Sequence, residues 1–391
     1  MITRIQSLAQ TLLPEITAIR RHIHAHPELS FQEKETALFV KTKLTEWGIA
    51  VQSDIAGHGL VAYIHGQEPE SRLIALRADM DALPIIEEND VVYKSTREGI
   101  MHACGHDAHT ASLLGAAKIL FELRNEWKGT IQLIFQPAEE VLPGGASLMI
   151  DAGIFKAKKP QAIFGQHVFP ELPAGKVGFR PGPYMASTDE LYVTVKGKGG
   201  HGAKPDKAID PVLISAHLIV ALQQVASRWT NPQMPTVLTF GKVQANGATN
   251  IIPNEVKLEG TFRTFSESWR KEAHVRMVQL AKGLVEGMGG EVDFRIEVGY
   301  PVVMNDEQLT HSAIEAAKEY LGEENVVPLD MRTTAEDFAY YSQQMPGCFY
   351  RLGTATPDGK KTAPVHNSRF DIDEQSLLTG MGLMAWLALK S

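Results

Sequence analysis

Two adjacent carboxylates close the stretch Thr130-Ile131-Gln132-Leu133-Ile134-Phe135-Gln136-Pro137-Ala138-Glu139-Glu140. The apolar residues up to Phe135 are typical of a buried strand. Pro137 lacks a backbone donor and ends that strand. Adjacent glutamates are usually solvated helix surface, but a Gln-Pro-Ala break before them is not a helix interior. The stretch therefore predicts a buried strand with Glu139 and Glu140 just beyond its carboxyl end.

Further apolar runs on both sides of this strand alternate with helical patterns. Strands are predicted at 60–64, 73–76, 130–135 and 162–165, and helices at 2–22, 35–47 and 107–123. Gly48 follows the second helix, as expected of a residue that ends helices in the left-handed conformation. Strands that alternate with helices predict an α/β layer with a largely parallel sheet, whose functional residues gather where strands end.

A different order of elements is predicted between residues 187 and 299. It comprises strand 190–196, helix 207–228, strands 237–243 and 256–263, helix 267–287 and strand 292–298. This βαββαβ order is the ferredoxin-like split motif. The first pattern resumes with helices at 306–321 and 336–343, a strand at 349–352 and a helix from 373. The sequence therefore predicts a domain of residues 1–186 and 300–391, with residues 187–299 inserted in it.

Composition excludes several classes of protein. The 391 residues are 44% hydrophobic and 21% charged, with a formal net charge of -8, which gives no general attraction to nucleic acid or to an anionic membrane. Because the chain shows neither a secretory pattern nor a long apolar span, we expect no signal peptide and no membrane segment. Cys104 and Cys348 alone cannot form a disulfide framework, which indicates a reducing cytoplasm.

Metal-binding side chains cluster in the stretch Met101-His102-Ala103-Cys104-Gly105-His106-Asp107-Ala108-His109-Thr110. Imidazole, thiolate and carboxylate groups bind divalent transition metals. Alone, a cysteine before glycine is more often a small core residue, and a histidine at a strand end, such as His167, is more often structural. Taken with the carboxylates at 139–140, these residues and His366 favour a metal centre. His102 and His109 are interpreted as packing residues or as partners of the ligands.

The two glutamates suggest a division of labour. In extended backbone, adjacent side chains point to opposite sides, so one carboxylate would bind metal and the other would face the substrate water. With Cys104, His106, His167 and His366, the protein ligands then exceed what one tetrahedral zinc ion needs. The excess favours two metal ions that share ligands.

Six motifs, in order along residues 14–389, resemble the metal-dependent aminoacylase and carboxypeptidase family. The branch most similar to this chain includes hippurate hydrolases, auxin-conjugate amidohydrolases and N-acetyl-diaminopimelate deacetylases. The motifs are His24-Ala25-His26-Pro27-Glu28, Arg77-Ala78-Asp79-Met80-Asp81-Ala82-Leu83-Pro84, Met101–Thr110, Gln136–Glu140, Gly199-Gly200-His201-Gly202-Ala203 and Ala335-Glu336-Asp337-Phe338-Ala339.

The resemblance implies a fold and a metal centre. The fold is a mixed-sheet α/β catalytic domain of the zinc-exopeptidase type with an inserted ferredoxin-like lid and dimerisation domain. Glu139 would be the general base, and Asp79 would orient the site. Cys104, where other branches have an aspartate, makes the site softer, so the two divalent ions would be zinc, manganese, nickel or cobalt. The implied metal ligands are Cys104, His106, Glu140, His167 and His366.

Three residues of the inserted domain are implied to contact substrate. His201 would polarise the scissile carbonyl, often in the partner subunit's site, and Asn250 would contact the substrate in the same way. Arg263 would clamp a free carboxylate, because guanidinium binds that group in a bidentate fork; the alternative for Arg263 is a solvated strand charge.

The predicted function is a metal-dependent amidohydrolase that cleaves N-acyl amino acids to a carboxylic acid and a free amino acid. Metal-bound hydroxide would attack the amide carbonyl, with Glu139 transferring the proton. The substrate would be a small molecule, and the protein a homodimer or a tetramer. The alternatives are a dipeptidase or carboxypeptidase with the same centre, a silent dimeric scaffold, and a redox protein built on Cys104, which lacks a Cys-x-x-Cys partner.

Overall fold

The computed structural model of the chain describes residues 1–356 and 363–391. The chain divides into two compact units, one of Met1–Gly182, Met304–Asp330 and Asp337–Ser391 and one of Pro183–Val303 and Met331–Glu336. Among the described residues, none of the helices combines the length and the apolar character that a membrane crossing requires.

Helices and strands alternate over most of the chain. The α-helices are α1 (Ile2–Ala25), α2 (Lys34–Glu46), α3 (His106–Glu122), α4 (Gly145–Asp151), α5 (Pro211–Leu222), α6 (Glu267–Gly287), α7 (Glu307–Leu321), α8 (Ala339–Ser342) and α9 (Ser376–Lys390). The strands are β1 (Val51–Ile55), β2 (Gly59–His65), β3 (Leu73–Asp79), β4 (Thr130–Gln136), β5 (Ala162–Pro173), β6 (Val177–Phe179), β7 (Gly182–Met185), β8 (Asp189–Lys196), β9 (Gly200–His201), β10 (Thr236–Ala245), β11 (Ile251–Ile252), β12 (Glu255–Thr264), β13 (Glu291–Val298), β14 (Val303–Asn305), β15 (Val326–Pro328) and β16 (Gly347–Ala355).

The first unit is built on an eight-stranded mixed sheet in the order β1-β2-β4-β3-β5-β16-β6-β15. The central strands β4, β3, β5 and β16 run parallel, whereas β1 with β2, β2 with β4, and β16 with β6 pair antiparallel. Strands β3 and β4 are buried along their whole length, as expected of parallel strands covered on both faces. The predicted α/β fold class with a mixed sheet is confirmed.

Helix α3 is packed closely enough to fix its first turn. A Cβ on Gly115 would lie 2.8 Å from Met381 of α9, so the two helices approach more closely than a larger residue would permit. All but a few residues of α3 are buried. Since α3 begins at His106, this packing also fixes the position of a candidate metal ligand.

The second unit contains a four-stranded antiparallel sheet in the order β10-β12-β8-β13. Helices α5 and α6 complete a core with inward-facing residues of β8 such as Leu191, Val193 and Val195. The chain order βαββαβ matches the ferredoxin-like split motif expected from the sequence.

Two helices differ from their predicted spans. The helix expected at 207–228 begins only at Pro211, because Asp210 accepts hydrogen bonds from the Val212 and Leu213 amides and caps it. It ends at Leu222 and is followed by a π-helical turn at Val225–Trp229. The helix expected at 336–343 is only Ala339–Ser342, since the Asp337 side chain accepts from the Ala146 amide instead of lying on a helix surface.

Candidate metal centre

Strands β3 and β4 end at the same edge of the sheet, and β5 continues beyond them. Asp79 of β3 pairs with Gln136 of β4, and Arg77 of β3 pairs with Gly165 of β5. The residues that follow these pairs include the functional candidates Glu139, Glu140 and His167. Glu139 and Glu140 lie beyond the end of β4, as predicted. His167 instead lies within β5, which extends past its predicted end at residue 165 because it continues to pair with β16.

The turn before α3 brings Cys104 and His106 to the same edge. Gly105 has a φ of +80°, and a Cβ there would lie 2.6 Å from Val168. Only glycine meets both requirements. The turn places the Cys104 Sγ 3.4 Å from the Nε2 of His167.

The remaining candidate ligands lie within a few ångströms of one another. The Nε2 of His366 is 3.2 Å from the Glu140 Oε1. The Nε2 of His106 is 3.9 Å from that same oxygen and 4.0 Å from the Glu139 Oε2. Ligand atoms lie within 4.8 Å of one another in the groups Cys104–His106–His167, Cys104–Glu140–His366 and His106–Glu139–Glu140.

The charges at this edge suit a divalent cation. Burial and the neighbouring Glu140 carboxylate raise the pKa of the Cys104 thiol. Hydrogen bonds to Cys104 and Glu140 raise the pKa of His366 to about 10. The first shift reflects the cost of a buried thiolate beside a carboxylate, and the second shows that positive charge beside Cys104 and Glu140 is favourable. The Nε2 of His106 is buried without a hydrogen-bond partner among the described residues, and a metal ion would satisfy it.

Asp81 orients His106, a role that the sequence analysis did not assign to it. Its Oδ1 lies 3.1 Å from the Nδ1 of His106, which leaves the Nε2 facing the other candidates. Its Oδ2 accepts from the Ser30 hydroxyl and from the Glu140 amide. A carboxylate on the far nitrogen of a metal-binding histidine fixes its tautomer and orientation. The Asp-x-Asp spacing is the signal for this residue, because side chains two apart in extended backbone share a side.

Asp79 has different partners. Its Oδ1 lies 2.6 Å from the Nδ1 of His109 and its Oδ2 accepts from Arg77 at 2.7 Å. The Nε2 of His109 accepts from the Val168 amide, so both ring nitrogens of His109 are occupied by protein groups. Although burial opposes ionisation, the charges of His106 and Arg77 lower the pKa of Asp79 well below its usual value. Asp79 thus remains ionised beside the centre, in contact with His109.

Replacing Asp81 with Asn is expected to weaken metal binding by about 10- to 100-fold, as for other partners of metal-binding histidines. The amide cannot accept from His106 as strongly as the carboxylate does. Competition with a chromogenic chelator measures the affinity. Ser30→Ala is the matched control, because it removes one hydrogen bond to Asp81 and leaves the His106 contact intact. Equal affinities for D81N and the wild type would contradict the assigned role.

Two of the three candidates in the second unit lie together. Strand β9 pairs with β11, which sets His201 opposite Ile251, and the Asn250 carbonyl accepts from the Gly202 amide at 2.8 Å. The His201 Nδ1 accepts from the Ala203 amide, so the neutral ring carries its proton on Nε2 and can donate from there. Arg263 lies on β12 and donates to the Thr333 carbonyl at 3.0 Å.

The mixed sheet, with thiol, imidazole and carboxylate groups gathered at one edge, is an arrangement suited to a metal-dependent α/β enzyme. The chain belongs to the peptidase family M20/M25/M40, whose family model matches residues 75–390. The resemblance seen in the sequence motifs is therefore confirmed.

Relatives and a solved structure agree with this assignment. The chain is 43% identical over 304 residues to an N-acyl-L-amino acid amidohydrolase of Geobacillus stearothermophilus, covering 78% of this chain and 81% of that protein. It is 39% identical over 373 residues to an N-acetylcysteine deacetylase of Bacillus subtilis (strain 168), covering 95% of each. The crystal structure of Bacillus subtilis YxeP, described as a dinuclear metal-binding peptidase of the M20 family, superposes with a TM-score of 0.84 at 36% identity, covering 97% of this chain and 98% of that one.

Proposed function

We propose that this protein is a metal-dependent amidohydrolase that cleaves N-acyl amino acids to a carboxylic acid and a free amino acid. The observation that carries the proposal is the convergence of thiol, imidazole and carboxylate groups at one edge of the sheet. Similarity to an N-acyl-L-amino acid amidohydrolase and to an N-acetylcysteine deacetylase supports the substrate class.

The residues at the sheet edge divide into ligands and a base. Cys104, His106, Glu140, His167 and His366 would hold two divalent metal ions. Such ions, when bound, polarise a carbonyl and lower the pKa of a coordinated water.

Glu139 is assigned the proton transfer. Its carboxylate accepts a proton as water attacks the amide carbonyl, and it delivers that proton to the nitrogen as the carbon–nitrogen bond breaks. Its burial, with only 6% of the residue exposed, limits exchange of that proton with bulk water.

The second unit supplies further groups in this proposal. The Nε2–H of His201 would donate to the substrate carbonyl, Asn250 would contact the substrate, and Arg263 would bind its free carboxylate. Residues 187–299 would act as lid and dimerisation domain of a homodimer, or of a tetramer.

The proposal is tested by the release of free amino acid from a panel of N-acyl amino acids. Chelator-stripped protein is reloaded separately with zinc, manganese, cobalt or nickel. We expect turnover of one acyl class only after metal is added, because the centre has no other source of Lewis acidity among its side chains. Stoichiometric metal binding without turnover of any member would contradict the proposed function and favour the silent scaffold. The most active ion would identify the working metal.

A peptidase is the second candidate, because YxeP is described as a peptidase. The two functions differ in the acyl part of the substrate. An N-acyl amino acid carries a neutral acyl group there, whereas a dipeptide carries an aminoacyl group with a free ammonium. Including unblocked dipeptides in the same panel separates them. Preference for dipeptides over their N-acetyl counterparts would favour the peptidase.

A further inference from the structure

The backbone directly before Glu139 has an unusual conformation. Ala138 has a φ of +51°, a region that residues with a Cβ rarely adopt. Its carbonyl accepts from the Gly145 amide at 2.8 Å. A Cβ on Gly145 would lie 1.7 Å from the Pro137 carbonyl oxygen, so the two segments are as close as glycine permits. A conformation of this kind persists only where its surroundings enforce it.

Glu33, distant in sequence, contacts this segment from the other side. Its Oε1 accepts from the Ala138 amide at 2.7 Å and from the Phe31 amide at 3.0 Å. Phe31 also has a positive φ, +66°. One carboxylate oxygen therefore links two backbone segments that both adopt the left-handed region.

Helix capping does not explain the Glu33 side chain. Glu33 occupies the position that caps α2, yet its side chain makes no capping hydrogen bond there. Instead it is fully buried, with Oε2 lacking a hydrogen-bond partner among residues 1–356 and 363–391. A buried carboxyl with an unsatisfied oxygen is unfavourable for folding, so its contribution must lie at Ala138 and Phe31.

Glu139 thus stands between two anchored amides. The Ala138 amide before it donates to Glu33, and the Glu140 amide after it donates to Asp81 at 3.0 Å. We propose, resting on the function proposed above, that Glu33 is a positioning residue: through the Ala138 amide it orients the Glu139 carboxylate toward the reacting water and the amide nitrogen.

To hold the Ala138 amide, Glu33 needs a hydrogen-bond acceptor but does not need a negative charge. Burial and the charge of Asp81 raise the pKa of Glu33 to about 7, so the carboxyl is partly neutral near neutral pH. A neutral acceptor of the same length should therefore replace it. Glu33→Gln preserves the acceptor, whereas Glu33→Asp shortens the side chain and withdraws it from Ala138.

The test compares kcat, KM and backbone hydrogen exchange among Glu33→Gln, Glu33→Asp and Glu33→Ala in metal-loaded protein. We expect kcat to fall about 10- to 100-fold in the Asp and Ala variants, the size of effect that a displaced functional group produces, with KM nearly unchanged. The peptide covering 130–141 should exchange faster in those two variants. Glu33→Gln should retain both the wild-type kcat and the wild-type exchange. If Glu33→Ala does not fold, the Asp and Gln pair carries the test.

Glu28→Gln is the matched control. Glu28 is also buried and also accepts from a backbone amide, but that amide and the accompanying hydroxyl belong to Thr36 in α2. Its replacement should leave kcat unchanged. Wild-type kcat in Glu33→Asp, or unchanged exchange of peptide 130–141 in that variant, would overturn the proposal. Wild-type protein inactive with every metal and substrate would refute the proposed function, while the exchange data would still show whether Glu33 fixes Ala138.

Discussion

Glu139→Gln is expected to lower kcat by about 10²- to 10⁴-fold, the usual contribution of a general acid–base group, while metal remains bound. Glutamine has the size and shape of glutamate and keeps one acceptor oxygen, but it cannot take a proton from water or return one to the leaving nitrogen. Both halves of the proton transfer are lost together. Steady-state kinetics and metal analysis on the same preparation measure the two quantities.

Glu140→Gln is the matched control for this substitution, one residue away. The Glu140 Oε1 lies 3.2 Å from the Nε2 of His366, among the candidate ligands. The main effect of this substitution should therefore be a lower metal affinity. A Glu139 variant that bound metal poorly, beside a Glu140 variant that bound it normally, would reverse the two assignments. Substantial turnover by metal-loaded Glu139→Gln would remove the general base from the mechanism.

Local sequence patterns predict the strands and helices that carry the site. The largely apolar run at 130–135, ended by Pro137, favours a covered parallel strand, and β4 spans Thr130–Gln136. Helix α6 begins and ends at its predicted residues, Glu267 and Gly287. Ser266 fixes the beginning, because its side chain accepts from the Trp269 amide and caps the helix. In such cases the deciding interactions lie within a few residues of each other.

Contacts between distant segments are not encoded in local patterns. Asp79 and Asp81 are equally good carboxylates in one motif, and the partner of each depends on α3, where His106 and His109 lie one turn apart. In the sequence, Glu33 is an ordinary acidic residue before α2, and nothing local indicates that it accepts from the Ala138 amide. The residue types of the centre are thus predictable, whereas the residues that orient them require the tertiary structure.

Arg77 connects β3, β4 and the segment before α8, so its replacement should destabilise the first unit. The guanidinium donates to Asp79 and Asp337 at 2.7 Å each and to Gln136 at 2.9 Å. The side chains of Arg77, Asp79 and Asp337 are all fully buried. The planar fork meets three acceptors from β3, β4 and the segment before α8, a geometry that a lysine ammonium cannot reproduce.

Arg77→Met is therefore expected to lower the free energy of unfolding by about 3–5 kcal/mol, because two buried carboxylates lose their compensating charge. This is a large fraction of the stability of a folded domain. Scanning calorimetry of metal-free protein measures the loss without a contribution from bound ions. The matched control is Arg21→Met, since Arg21 pairs bidentately with Glu374 but is 43% exposed, and an exposed pair contributes about 1 kcal/mol or less. Equal destabilisation by the two substitutions would mean that the buried carboxylates protonate or find other donors, and that Arg77 does not determine how the strand ends assemble.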